Sequence, residues 1–595
     1  MKTYIIILFI IMVVFSSGCE KLKIGNDFLA KAPGVDVTQD TIFSDIKYAE
    51  RFLWSAYGCL PYGIVQSQTT GRTNLLGIDV VEDLTDIGQD CYVSSGAAVT
   101  YYNGYLTPGA GTGNSVYDIN GDGGYDGIRR CWIFLSNIDR VPNATDDYKT
   151  QLKNEARMLI AFQYAHMYRY FGGLPWLGHA FDVNEPVGKT PRITAQALCD
   201  SVVKYCDTYG SQLPWKVSDP ATLDGRVTRY WAMALKARIL LFNASPLFNS
   251  DAPYLDGDAA QQNLTWHGGY NKELWKKAMD ASHDFIVQVE NTGDFKMYHK
   301  AGNSFRKDYQ EAYFLRNNQE TIISIRNFLY YNQNNTTVTN DYCWYICDYT
   351  WGVLGVTDEY VKMFPMASGK NITDPTSGYD STKPYLNRDP RLYETILTNG
   401  DAYRGRVAEM FQGGQEAQTG NPVGITGYRC RKFLLDGDNA TLWNTPVSFP
   451  NLRLPEIYLS YAEADNEYSG GPSAEAYRCV NIVRNRVGLA NLPAGLTQVQ
   501  FREAVLKERA LEFGYEEVRW YDLVRWKREN DFKKHLHGMK IIKTGGTSPN
   551  FICTYAQYEL PLRYWMQSWS PKWYLNCFPQ SEINKQYGLI QNPGW

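Results

Sequence analysis

The strongest constraint on folding lies near the end of the chain, where three helices follow one another, each bracketed by its own start and stop signals. Pro455 suits the first turn of a helix over Glu456 to Glu467. Gly470-Gly471-Pro472 stops it. Ser473 to Val487 forms its partner, with Gly488 as the C-cap. Thr497 and Gln500 make a capping box for a third helix, whose inner side carries Phe501, Val505 and Leu511. Earlier helices read in the same way. Ser44 N-caps a helix with an apolar face of Ala49, Phe52, Leu53, Ala56 and Tyr57, stopped by Pro61. Asp146 and Asp147 favour a second start through the helix dipole. Leu152, Ala156, Leu159, Ile160, Tyr164 and Met167 then recur at helical spacing until Gly172-Gly173. Thr228 opens another helix through Trp231, Leu235 and Ile239. The readable regions are mostly helix pairs without a strict short period, and a degenerate tetratricopeptide-like array is one way to stack them.

Long Gly/Asn/Asp/Tyr-rich insertions separate these blocks, at about residues 61–127, 246–270, 328–356 and 366–450. Structureless loops of that length are uncommon unless they work or carry short elements of their own. The helices therefore read as scaffold and the insertions as function. Hydrophobic residues make up 44% of the chain, ample for a large core, and the net charge of −4 gives no electrostatic reason to bind nucleic acid. Tyr (44) and Trp (16) together far outnumber Phe (25). Both pair an apolar face with a hydrogen-bonding tip, which suits half-wet surfaces as well as cores.

The insertions hold the candidate binding residues. One set is Tyr92, Tyr101, Tyr102 and Tyr105; another is Tyr330, Tyr331, Tyr342, Trp344, Tyr345 and Trp351, interrupted by Asn332, Asn334 and Asn335. Trp266 and Tyr270 form a third, and Arg72, Asn74 and Asp79 are polar partners from the first insertion. A sugar ring has a C–H face for an aromatic to cover and a hydroxyl edge for Asn, Asp and Arg. For any one of these rings, ordinary packing is the alternative.

Other constellations read as structural. Glu508, Arg509, Glu512, Glu516, Arg519, Asp522 and Arg525 are spaced for ion pairs on successive turns. Pairing with Arg lowers a carboxylate pKa, whereas a general acid needs it raised. Asp118, Asn120, Asp122 and Gly123 resemble the start of a calcium loop, but Arg129 stands where a bidentate Glu belongs, so a tight Gly/Asp turn is expected. His535 and His537 flank one Leu next to Lys533 and Lys534, which favours an exposed basic turn over a metal site. No HExxH, GxSxG or Walker A pattern is present, and no metal or other cofactor is called for. Of twelve Cys, Cys343 and Cys347 are close enough to pair and equally plausible as buried small hydrophobes.

The N-terminus reads Lys2, a mostly apolar run from Tyr4 to Phe15, then Ser16-Ser17-Gly18-Cys19. That is a secretory signal, too short to span a bilayer, and its ending resembles a bacterial lipobox. The resemblance implies cleavage after residue 18 and a lipid on the Cys19 sulfur, leaving residues 19–595 as a single domain.

Behind it, Phe28 to Leu60, Asn154 to Leu177 (NEARMLIAFQYAHMYRYFGGLPWL), Asn387 to Leu397, Arg453 to Asn466, Val483 to Leu489, Lys507 to Lys527 (KERALEFGYEEVRWYDLVRWK) and Phe578 to Trp595 fall in order. Together they resemble the SusD/RagB outer-membrane lipoproteins of Bacteroidetes. The resemblance implies a mainly α fold, in which four tetratricopeptide-like helix pairs support an irregular, loop-rich ligand-binding half. It implies a lipid-anchored, surface-facing position at the outer membrane and a SusC-like TonB-dependent transporter as partner. It also implies non-catalytic binding of a glycan ligand. A peptide-binding member is the nearest alternative, and a secreted glycosidase with two carboxylates in an aromatic groove is the alternative from another class.

Overall fold

The computed structural model describes residues 38–63, 80–91, 97–182, 185, 188–325, 330–331, 337–338, 354–417, 425–434 and 449–595. It is mainly helical, with 46% helix and 10% strand. α1 (Ile46–Tyr57), α2 (Gly124–Asn137), α3 (Asp146–Phe171), α4 (Ala195–Thr208), α5 (Arg229–Ala244) and α6 (Glu273–Thr292) lead to the shorter α7 (Phe305–Phe314). α8 (Leu454–Ser469), α9 (Ala474–Arg486), α10 (Gln498–Glu512) and α11 (Arg519–Arg525) follow. The helices pack as a continuous row: α1 on α2, α2 on α3, α3 on α4, α4 on α5, α5 on α6, α6 on α8, and α8 on both α9 and α10. No described helix is long and apolar enough to cross a membrane.

The sequence signals explain most helix ends. Thr145 caps α3 by accepting the Tyr148 amide, Thr228 caps α5, Ser473 caps α9, and Thr497 with Gln500 closes the capping box of α10. Pro455 lies in the first turn of α8, and Gly470, at φ +77°, ends that helix in the left-handed region. One start shifts: Asp45, not Ser44, caps α1, because the Ser44 hydroxyl is spent on the Thr41 carbonyl at 2.8 Å. α3 is buried on nearly every side, which marks it as the spine of the row. Glu155 on this helix meets the Arg226 guanidinium in two bonds of 2.9 and 3.0 Å and takes a third from Tyr57.

Small two-stranded ladders punctuate the helices. β1 (Gly88–Asp90) pairs with β3 (Leu354–Val356), and β2 (Thr321–Ile325) pairs with β4 (Phe449–Arg453), both antiparallel. β5 (His537–Thr547) and β6 (Asn550–Glu559) form a long hairpin. The insertion at 366–450 is not structureless. Its Tyr403, Met410 and Phe411 build a small second core against Ile541 of that hairpin. His535 and His537 do not form a basic turn. They sit at the foot of the hairpin and pair with different carboxylates, Glu559 and Glu359. In the Asp118 turn, Asp122 accepts the Asp118 amide, Gly123 at φ +77° launches α2, and Arg129 is turned away to the Phe181 carbonyl.

The charged run from Glu508 to Arg525 forms ion pairs as expected, but most reach far along the chain rather than one turn. Glu512 meets Arg453, Arg486 and Arg391; Glu508 meets Arg391 and Arg484; Glu516 meets Lys432 and Arg453. Arg525 holds Glu463 and Asp522, Arg509 holds Asp522, and Arg519 holds Asp86. All these groups are buried. A helix i,i+4 pair faces solvent, whereas buried charges need several partners converging from different elements.

Burial alone would raise the Glu512 carboxyl, but Arg486, Arg453 and Arg391 outweigh it and hold it at about 2. A lowered folded value means that this stabilisation is complete above the unfolded carboxylate range and is lost as pH falls towards 2. Glu512→Ala strands three guanidiniums and is expected to cost about 3–5 kcal/mol at pH 7. Urea unfolding of both proteins from pH 7 to pH 2.5 checks this, with the wild type losing its advantage only below about pH 4.5.

Candidate functional site

Two of the aromatic insertions, the first and the one at 328–356, leave from one built platform. In the β1–β3 ladder, Gly88 lies opposite Val356, Gln89 opposite Gly355 and Asp90 opposite Leu354. Tyr92 follows β1 by two residues and Trp351 precedes β3 by three, so two of the aromatic segments are tethered to the same ladder. In the neighbouring ladder Ile325 lies opposite Phe449, and Ile325 is where the 328–356 insertion leaves β2. A Cβ on Gly63 would stand 2.4 Å from the Phe449 ring and 2.7 Å from the Glu517 carboxyl carbon, so the first insertion leaves from the same place.

The platform is held rigidly. The Arg563 guanidinium donates to the carbonyls of Thr85 at 2.8 Å and Gly88 at 2.6 Å. It lies 4.7 Å above the Tyr102 ring. The Tyr102 hydroxyl donates to the Asp83 carbonyl at 2.5 Å and accepts the Asp90 amide at 3.1 Å. The Tyr515 hydroxyl donates to the Gly355 carbonyl at 3.1 Å, and Thr357 Oγ1 donates to the Asp86 carbonyl at 2.6 Å. Gly355 admits no side chain, since a Cβ there would be 2.5 Å from Cys91 Sγ and 2.7 Å from the Gln89 carbonyl. Asp86 and Arg519 meet in two bonds of 2.8 and 2.9 Å. Burial pushes the Asp86 carboxyl up, Arg519 pulls it down, and the net direction is down.

Glu82 and Glu517 behave differently. The Glu517 amide donates to Glu82 Oε1 at 2.6 Å, and Glu82 is buried. Burial, then the Glu517 charge, pushes the Glu82 carboxyl up to about 8; burial pushes Glu517 up to about 7 against the pull of Arg169 and Arg238. Tyr515 and Glu517 take left-handed backbone at φ +61° and +57°. Strain of that kind persists where surrounding structure fixes it, and here the Tyr515 and Glu82 bonds do so.

The predicted rings separate clearly where they are described. Tyr105 is 65% exposed. Tyr102 is half-buried, with its hydroxyl committed to the ladder. Tyr101 is a correction. It is a core residue, 1% exposed, packed against Trp520, Trp565 and Trp573 at 5.7–6.3 Å, with its hydroxyl on Asn576. Adjacent residues of the short helix Ala97–Tyr102 point in different directions, so one tyrosine enters the core while its neighbour braces the ladder. Trp266 lies half-buried, its indole donating to the Ser250 carbonyl at 2.6 Å within its own insertion, and Tyr270 is 50% exposed. That insertion packs on the end of α3 and the start of α4, through Gly173 to Leu264 and Ala195 to Asn263, not on the ladders. Tyr330 and Tyr331 form a two-residue strand paired with Thr337 and Val338. Cys19, Arg72, Asn74, Asp79, Tyr92, Tyr342, Cys343, Trp344, Tyr345, Cys347 and Trp351 lie outside the described residues.

The sequence reading missed Tyr564, which is 41% exposed. A Cβ on Gly104, which sits at φ +69°, would lie 2.6 Å from the Tyr564 ring. The chain beside Tyr105 is therefore pressed flat against that ring. The only signal was the run Arg563-Tyr564-Trp565, outside every insertion. Among the described residues no group of His, Cys, Asp and Glu is arranged to hold a metal ion.

Residues 309–595 match the family model described as the SusD family. A SusD-like protein of Formosa agariphila, P25, is 37% identical over 102 residues. That match covers 17% of this chain and only 19% of the relative, so the chain spans well under two thirds of that relative's length. A SusD-like protein of Bacteroides fragilis has a similar structure, with a TM-score of 0.72 at 22% identity, covering 95% of this chain and 100% of that one. A second B. fragilis structure, described as a SusD-like carbohydrate-binding protein, gives 0.67 at 20% identity, covering 91% and 99%. Over residues 309–595 the chain resembles the SusD family, and its mainly helical fold is that of these SusD-like structures.

With raised pKa values, Glu82 and Glu517 take up protons on folding, so stability falls as pH rises from about 4.5 through 7 to 8. Glu82→Gln is expected to flatten that decline. Urea midpoints of both proteins from pH 5 to pH 9 decide it, and parallel curves would show that Glu82 is ionised in the fold.

Proposed function

We propose that this SusD-like chain is a non-catalytic, lipid-anchored protein of the outer-membrane surface. It captures oligosaccharide or polysaccharide and delivers it to a SusC-like TonB-dependent transporter. The observation that carries this reading is that two of the aromatic insertions leave from one braced ladder. Tyr105 and Tyr564 stand exposed beside Gly104, and the strand that ends two residues before Tyr92 faces the strand that begins three residues after Trp351, Asp90 opposite Leu354. A solved protein with a similar fold is described as carbohydrate-binding, which supports the same ligand class.

The mechanism is stacking plus edge hydrogen bonding. If each ring covers on the order of 100 Å² of sugar C–H surface, it contributes roughly 2 kcal/mol before ordering costs. Two or three such stacks give a modest affinity, fitting a protein that must release what it holds. Glu508, Glu512, Glu516 and Asp522 are taken up by guanidiniums, Glu512 being held at about 2, which suits these four to bracing and not to proton donation.

Trp344→Ala and Trp351→Ala are each expected to weaken binding on a glycan array about tenfold, with melting temperature nearly unchanged. Unaltered binding in both would remove that segment from the site, and retention of peptides but no glycan would favour the peptide-binding reading. Cys19→Ala is expected to release the protein from membranes. Its retention after a high-salt wash would overturn the lipid anchor.

A further inference from the structure

A second groove lies away from the β1–β3 ladder, on the flank of the helical row. It encloses about 320 Å³ between the Trp215–Thr228 turn, the end of α6, the segment after α7 and strand β2. Pockets that take small ligands start near this size and combine apolar walls with a few placed polar groups. Trp215 lines one wall, with the Arg229 guanidinium 4.2 Å over its ring and Tyr230 at 4.9 Å, so the indole is fixed. Ile322 and Pro450 line the side formed by the β2–β4 ladder.

Its charges cancel in place. Arg316 grips Asp224 in a two-point pair, with Nε to Oδ2 at 2.7 Å. Lys216 pairs with Asp294, which also accepts the Tyr230 hydroxyl at 2.7 Å. Arg226 also lines the groove, and Glu155 and Glu50 neutralise it. Asn317 takes left-handed backbone at φ +58° while its amide holds the Pro220 carbonyl, locking one rim to the other. The Gln319 side chain is exposed and bonds nothing among the described residues.

We infer that this groove is a second binding site, for a short neutral oligosaccharide. An anion or a cation would have to break a carboxylate–cation pair to find a counter-charge, whereas a vicinal diol can bond both members of such a pair without disturbing it. The indole and the Ile322–Pro450 wall suit the C–H face of a sugar ring, and Gln319 offers both a donor and an acceptor to its edge. This rests on the glycan-binding reading above.

Full-length protein in detergent is first screened on an array of neutral and uronate-bearing oligosaccharides, and the best short neutral binder is then titrated calorimetrically. Two binding events are expected for the wild type. Trp215→Ala and Gln319→Trp, the latter filling the groove, are each expected to remove one of them, a loss of at least tenfold in affinity. The Trp344→Ala, Trp351→Ala double variant is expected to keep it. Should Trp215→Ala lower the melting temperature sharply, the surface variant Gln319→Trp decides alone. Wild-type titration by both groove variants overturns this site and leaves the proposed function standing. Preference of the groove for uronate ligands overturns its neutral class. Absence of any glycan binding by the wild type overturns both readings together.

Discussion

The structure depends on charge buried around Glu512. Arg391, Arg453 and Arg486 converge on this one carboxylate from three separate parts of the chain, and Arg453 also holds Glu320 and Glu516. A buried ion pair adds little net stability over a well-packed apolar pair. What it adds here is position: each guanidinium is satisfied in only one arrangement of α10, β4, α9 and the Asp389–Arg391 turn. Among the described residues every sheet is two-stranded, so no continuous ladder there fixes how the elements sit, and the ion network supplies that relation instead.

The same segment reaches the β1–β3 ladder. Its inner residues, Glu508 to Glu516, are tied into the scaffold, whereas Tyr515, Glu517 and Arg519 touch the ladder through Gly355, Glu82 and Asp86. Glu516 and Glu517 are neighbours with opposite surroundings. Glu516 has Lys432 and Arg453. Glu517 is pushed up to about 7 by burial, against the partial pull of Arg169 and Arg238. Environment, not residue type, sets which carboxylate is a brace and which is nearly neutral.

Much of the helical row was legible because caps are local. Thr145, Thr228, Ser473, the Thr497–Gln500 box and the Gly470 stop all act within one turn of their own sequence. Long-range partners were not legible. The run from Glu508 to Arg525 announced ion pairs, but nothing in it named Arg391, Lys432 or Arg453. The binding face was readable only as a surplus of aromatics. Composition could not separate Tyr101, which fills the core, from Tyr105, which leaves it, because that division follows the direction of a short helix and the place of Trp573 far along the chain. Tyr564 escaped because nothing in its own stretch of chain marks it, and the glycine that packs on its ring, Gly104, lies more than 400 residues earlier.

The distribution of charge also constrains the ligand. Among the described residues around the β1–β3 ladder, charge is cancelled, neutralised or buried. Glu82 and Glu517 hold protons near neutral pH, Asp86 is cancelled by Arg519, and Arg563 is spent on backbone carbonyls. These groups exert little pull on anions or cations over distance. On the proposed function, selection rests on shape, aromatic area and hydrogen bonds to an uncharged partner. Such contacts are short-ranged and individually weak, so they discriminate only if the rings that make them are already in place. The buried ions, the Tyr102 and Tyr515 clasps and the side-chain-free approach at Gly355 all act to that end: they meet the cost of order in the fold, before any ligand arrives.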